Sequence, residues 1–148
     1  MALSVGQNSW TTIIEADDYL TDRIGAEAWF DLADSGDPGA DSKTSFLISA
    51  YQWLIGAPQL ELSADLTDVN VKRAQMEAAL FLLEHYKALN ERRAALFTGV
   101  TEFVLSRKSE KLNIDNLTIP IHIIGLLRDY LVDIEYNTVA LLKGHYDV

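Results

Sequence analysis

The residues able to do acid–base or metal chemistry are scattered along this chain. Its three histidines, His85, His122 and His145, fall in different predicted elements. Only Glu84–His85 resembles a ligand pair, and adjacent residues of a helix point in different directions. No two histidines at i, i+4 accompany a glutamate, so the zinc-hydrolase pattern is missing. There is neither a glycine-rich phosphate loop nor a Gly-x-Ser-x-Gly elbow. With no cysteine, thiolate metal sites and disulfides are excluded. Asp17–Asp18 and other carboxylates can be paired on paper as acid and base, but carboxylates this numerous read as a solvated face. The expectation is a non-enzymatic protein with no catalytic residue, no cofactor and no metal.

Charge carries more information than any motif. The net charge is −10, and residues 1–68 hold twelve Asp/Glu against two Lys/Arg, whereas residues 69–148 hold ten of each. An acidic surface of this kind opposes nonspecific phosphate binding by the whole molecule. One segment departs from the average: Lys87, Arg92, Arg93, Arg107, Lys108 and Lys111 outnumber Glu91, Glu102 and Glu110, for a local +3. Arg92–Arg93 at a helix end and Arg107–Lys108 at a hairpin tip are candidates to meet phosphates or an acidic partner. Tyr86, Phe97 and Phe103 are the few aromatics nearby, so the stacking platform of a single-strand binder is weakly met.

The elements that position these residues are mainly helical. At 148 residues and about half apolar, the chain is expected to fold as a domain over residues 1–134 with an arm at 135–148. Residues 1–11 carry little pattern and suggest an extended arm. Thr12 and Glu15 have capping-box spacing, and Ile13, Ala16, Leu20 and Ile24 follow at helical spacing, with Gly25 as a stop. A short helix from Ala26 to Ala33 would bury Trp29, Phe30 and Leu32. After the loop SGDPGAD, Asp41 or Ser42 caps a helix carrying Leu47, Ala50, Tyr51 and Leu54. Thr67 or Asp68 caps the longest helix, VKRAQMEAALFLLEHYKAL (71–89), in which residues 78–83 are apolar all round and require neighbours on more than one side.

Beyond Gly99 the period changes from helix to strand. Residues 100–106 are expected to pair with 111–117 as a β-hairpin, which is marginal alone and needs support from the bundle or another subunit. Thr118 and Pro120 open a last helix running to Ile134, with Gly125 inside it suggesting close approach of a neighbouring backbone. The fold class expected is therefore mainly α: a small bundle of four to five helices with one hairpin insertion and an extended C-terminal arm. No apolar run approaches the roughly 20 residues of a membrane span. The start MALSVGQNSW lacks a basic region followed by an apolar one, so no signal peptide is expected.

The ordered set NSWTTIIEADDYLTDR, FLISAYQWLIG, VKRAQMEAALFLLEHY, SRKSEKLNIDNLTI and IPIHIIGLLRDYL spans most of residues 8–134. This order resembles the tailed-bacteriophage head–tail connector (adaptor, or head-completion) proteins, in particular the group labelled DnaT-like single-stranded-DNA-binding protein. The most specific pieces are the Asn-Ser-aromatic-x-x-x-x-Glu-Ala-Asp-x-Tyr start and the hairpin followed by an Ile/Leu-rich helix. Members often carry a basic, Trp/Arg-rich loop after the second helix, where this chain has APQLELSADL.

The resemblance implies a structural virion protein of the neck, made in the host cytoplasm, that forms a ring with itself, usually of twelve subunits. Its partners would be the portal protein above and a tail, stopper or terminator protein below. DNA would pass through an acidic lumen without specific binding, and no membrane is involved. The portal arm would be Asn137, Val139, Leu141, Leu142, Lys143, His145 and Tyr146. Arg92, Arg93, Arg107, Lys108 and Lys111 would lie at a subunit or tail interface. The competing expectation is a single-stranded-DNA-binding or replication accessory protein, resting on the basic segment.

Overall fold

From Val69 to Phe97 the chain has neither glycine nor proline and is rich in Ala, Leu, Glu, Lys and Arg, the residues that lose least on entering a helix. In a computed structural model, which describes residues 1–97, 102–105, 108–111 and 119–132, this stretch is one 29-residue helix. It is α4 in chain order, about 43 Å long at the usual rise per residue. It follows α1 (Ile13–Thr21), α2 (Glu27–Phe30) and α3 (Lys43–Ile55), and precedes α5 (Ile121–Leu126) and a 3-10 turn, Arg128–Tyr130. Each of the other four helices packs on α4. The described residues thus form the mainly helical small bundle that the periodicity predicts.

Local chemistry sets the helix starts. Thr12 Oγ1 accepts from the Glu15 N–H (3.1 Å) and Glu15 Oε1 accepts from the Thr12 N–H (3.3 Å), a reciprocal capping box. Ser42 and Ser45 make the same exchange at the start of α3. Asp68 Oδ1 accepts from the Asn70 N–H (2.9 Å) at the start of α4. The α3 stripe Leu47, Ala50, Tyr51 and Leu54 is buried, as its spacing requires. On α4, Ala74, Ala78 and Ala79 are fully buried. Small side chains there let neighbouring helices approach closely.

The N-terminal residues are not a free arm. Ser9, Trp10 and Thr11 are fully buried, because α4 offers them a polar partner inside the core. Gln75 Oε1 accepts from the Trp10 N–H (2.8 Å), and Gln75 Nε2 donates to Ser9 Oγ (2.9 Å) and to the Leu47 carbonyl (2.8 Å). The Trp10 indole N–H reaches the Ser63 carbonyl (2.8 Å), and its ring lies 4.5 Å from that of Tyr51. One glutamine and one tryptophan therefore tie the first eleven residues to α3, α4 and the 59–67 connection.

Several expectations are corrected. Helix α1 ends at Thr21, so Ile24 lies outside it and is 90% exposed, while Gly25 takes its positive φ in the following turn. The next helix is only Glu27–Phe30; Trp29 is buried but Phe30 is exposed. On α4, Ala78 to Leu80 are buried whereas Phe81, Leu82 and Leu83 are only half-buried, so that segment is not enclosed on all sides. The last helix stops at Leu126 instead of Ile134. The Leu127 N–H is shared between the Ile123 and Ile124 carbonyls, which tightens the turn. The chain then extends, and its backbone groups pair outside the helix: the Glu61 N–H donates to the Tyr130 carbonyl and the Val132 N–H to that of Gln59. Gly125 meets nothing within 4 Å of where a Cβ would stand, so no close backbone explains it.

Glu102–Leu105 (β1) pairs antiparallel with Lys108–Lys111 (β2), Glu102 opposite Lys111 and Leu105 opposite Lys108. The second strand thus begins inside the polar stretch read as a turn, earlier than the predicted start at 111. Residues 100–101, 106–107 and 112–117 of the expected hairpin lie outside the described residues.

Replacing Gln75 by leucine leaves the Trp10 N–H and its other partners unsatisfied in the core. A loss of roughly 2–4 kcal/mol is expected in urea unfolding followed by circular dichroism. Fully buried positions such as Leu80 should lose about 2–5 kcal/mol on truncation to alanine, and half-buried Leu83 distinctly less. Equal losses at the two leucines would contradict the burial described.

Candidate functional site

Only two Lys/Arg residues occur in the first 68, Arg23 and Lys43, and both are committed to ion pairs within the chain. The Arg23 guanidinium meets the Glu77 carboxylate through Nε (2.8 Å to Oε1) and Nη2 (3.2 Å to Oε2). The Tyr19 hydroxyl donates to the same Oε1 (2.9 Å), and His122 Nε2 stands 3.7 Å from Oε2. Glu77 is 5% exposed. Burial alone would push its carboxyl up, but the hydrogen bonds from Arg23 and Tyr19 outweigh it and hold the pKa below the ordinary range. Burial and the adjacent carboxylate push the Tyr19 phenol up. This group joins α1, α4 and α5 through one buried charge.

Lys43, at the first position of α3, is 7% exposed and pairs with Asp17 Oδ1 (2.9 Å) and Asp34 Oδ1 (3.6 Å). Asp17 Oδ1 also accepts from the Trp29 indole N–H (2.8 Å). The ammonium lies over the Trp29 and Phe30 rings at 5.8 and 5.5 Å. Asp17 therefore belongs to a packed cluster and not to the solvated face its neighbours suggest. With Glu15 held by Lys72 (2.9 Å), the other acids of residues 1–68 have no ion pair among the described residues.

A groove of 580 Å³ runs between α3, the later turns of α4 and the loop at Gly39–Asp41. Its floor includes Phe46, Trp53, Leu82 and Tyr86, and its rim Asp41, Gln52 and Asn90. Phe46 meets Tyr86 edge-on at 5.7 Å, and Trp53 stacks on Phe81 at 5.8 Å. The Tyr86 hydroxyl donates to Asp41 Oδ2 (2.9 Å), which raises its pKa. The groove thus has a largely aromatic floor and, among the described residues, one carboxylate on its rim.

The residues singled out from sequence do not gather here. Arg92 and Arg93 continue α4, but their side chains lie outside what the structure describes, as does Arg107. Lys108 and Lys111 are the end residues of β2. Asn137, Val139, Leu141, Leu142, Lys143, His145 and Tyr146 all fall outside the described residues. His85 reaches Glu84 only at 3.8 Å and packs on Phe81 at 4.5 Å. Among the described residues no group of three or more His, Asp or Glu is arranged to hold a metal. Sequence reasoning missed Glu77, Gln75 and Lys43. The available signal was polarity where the helical period demands burial, and the scarcity of cations in an acidic half.

No protein-family model matches the chain, and searches of curated proteins and of solved structures return no match. Among the described residues no helix is long and apolar enough to cross a membrane.

Because the folded-state pKa of Glu77 is depressed, its contribution to stability is present at neutral pH and lost as pH falls through that lowered value. Glu77→Gln should cost about 1–3 kcal/mol at pH 7, moderated by the partial exposure of Arg23. The difference from the wild type should shrink below about pH 4. Urea midpoints measured from pH 3 to 8 check this; a pH-independent difference would exclude the charged pair as its cause.

Proposed function

We propose that this protein is a structural component of a tailed-bacteriophage neck: a head–tail adaptor that assembles with itself into a ring, docks on the portal, receives a tail-side protein and lets DNA pass. The observation that carries the reading is the meeting of three resemblance-bearing segments at Gln75. Ser9 and Trp10 come from NSWTTIIEADDYLTDR, Leu47 from FLISAYQWLIG, and Gln75 from VKRAQMEAALFLLEHY, and all are joined by hydrogen bonds of 2.8 to 2.9 Å. Sequence pieces separated by tens of residues thus form one buried clamp, which gives a physical reason for their occurring together.

The charge division supports the same reading. Arg23 and Lys43 are consumed by internal pairs, so the remaining carboxylates of residues 1–68 present a negative surface. Such a surface repels phosphates and suits a channel through which DNA slides without sticking. In this reading the arm Asn137–Val148 attaches to the portal, and the basic residues between Lys87 and Lys111 serve a subunit or tail contact.

Electron microscopy of the protein mixed with its portal should show rings at the portal. Deleting residues 137–148 should leave the helical signal and melting intact while abolishing attachment; retained attachment would remove the arm's assigned role. The alternative, single-stranded-DNA binding, predicts a salt-sensitive gel shift that Arg92→Glu with Arg93→Glu abolishes. Absence of any shift at low salt would exclude it.

A further inference from the structure

The last described residues give the chain a direction. Leu131 bridges Leu60 in antiparallel sense, the Glu61 N–H donates to the Tyr130 carbonyl (2.8 Å), and the Val132 N–H donates to the Gln59 carbonyl (2.9 Å). Because the pairing is antiparallel, the backbone at Val132 heads back toward Gly56 and the C-terminal end of α3. One end of the aromatic groove lies there, lined by Gln52, Trp53 and Leu82. Gln59 follows Trp53 by six residues, so the two are at most about 20 Å apart.

On the groove floor Trp53, Leu82 and Tyr86 are only half-buried and leave apolar surface to cover. Trp53 meets Phe81 and Phe46 meets Tyr86, so α3 and α4 run antiparallel along it. Ser45 to Trp53 on one side and Leu82 to Asn90 on the other each cover eight residue steps, a trough of roughly 12 Å. Seven residues beyond Val132 the sequence has an apolar run, Val139, Ala140, Leu141 and Leu142. Seven extended residues reach about 23 Å, enough to arrive at Trp53, and the four apolar ones span about 13 Å, the length of the trough.

We infer that residues 139–142 seat in the groove of their own chain, entering beside Trp53 and running toward the loop at Gly39–Asp41. Burial of apolar surface drives the contact, and the short tether holds the run beside the groove at an effective concentration on the order of millimolar. Ordering the segment offsets much of that gain. The seat is therefore readily vacated and adds little to global melting. It needs no portal and goes beyond the neck reading. Under that reading the groove holds the arm before docking, and groove and portal compete for the same residues.

The sequence has no cysteine, so Thr138→Cys in the full chain places a single nitroxide label beside the apolar run. In an isotope-labelled sample of this chain, the amide NMR signals of Ser49, Gln52 and Asn90 should broaden and should recover when the label is reduced. Adding Leu141→Asp with Leu142→Asp should abolish the broadening while the circular dichroism spectrum stays unchanged. Ser49→Arg, at an exposed position lining the groove, should abolish it at Gln52 and Asn90 by filling the seat. A mixture of nitroxide-bearing chain without isotope and isotope-labelled chain without nitroxide separates a contact within one chain from a contact between copies. Broadening confined to the doubly labelled chain supports the seat. Equal broadening in the mixture assigns the groove to another copy and overturns it, as does the absence of any broadening. Portal attachment is read separately by microscopy, so loss of the seat and loss of the neck reading are distinct results.

Discussion

The fold depends on a single buried amide. Gln75 sits at the middle of the bundle, out of reach of water, and its two polar atoms are satisfied by the N-terminal residues Ser9 and Trp10 and by the Leu47 carbonyl of α3. An unpaired amide there would cost several kcal/mol. The N-terminal segment, α3 and α4 must meet as they do to satisfy it, so the glutamine favours that arrangement over the many that a purely apolar interface would tolerate. Trp10 extends the constraint by holding the 59–67 connection through the Ser63 carbonyl. The early and late halves of the chain thereby become one unit.

Glu77 plays the matching role on another side of the same helix. Gln75 faces the N-terminal residues and α3, while Glu77 faces α1 and α5, so two polar residues two positions apart key opposite sides of α4. Their consequences differ. The amide network is neutral and insensitive to pH. The carboxylate binds a partly exposed arginine, and its strength follows solution conditions. The pairing of Arg23 and Lys43 within the chain also leaves the remaining acids of residues 1–68 without a cation of their own half to offset them. The negative surface is thus a product of the packing as well as of the composition.

Much of the helical framework was legible because it rests on local rules. The capping boxes at Thr12 and Ser42, the 3.6-residue stripe of α3 and the glycine-free length of α4 are written within a few residues of where they act. The predicted last helix failed because its apolar spacing continues through Leu131 while the backbone from Tyr130 to Val132 pairs with residues 59–61. Spacing cannot announce that a distant segment offers better hydrogen bonds. The N-terminal residues looked patternless for a related reason. Burial of Ser9 rests on its hydrogen bond to Gln75, far along the chain, and nothing within residues 1–11 announces that partner.

Composition and periodicity by themselves determined that this is an acidic, mainly helical chain organised around one long helix, and that the charge falls on its first 68 residues. They determine this because charge and helical propensity are sums over local residue types. Only the tertiary structure decided which polar residues are interior, which acids are neutralised, and that an aromatic groove opens between α3 and α4. Those facts depend on contacts across tens of residues, where the energy of a side chain is set by the partner it meets and not by its neighbours in sequence.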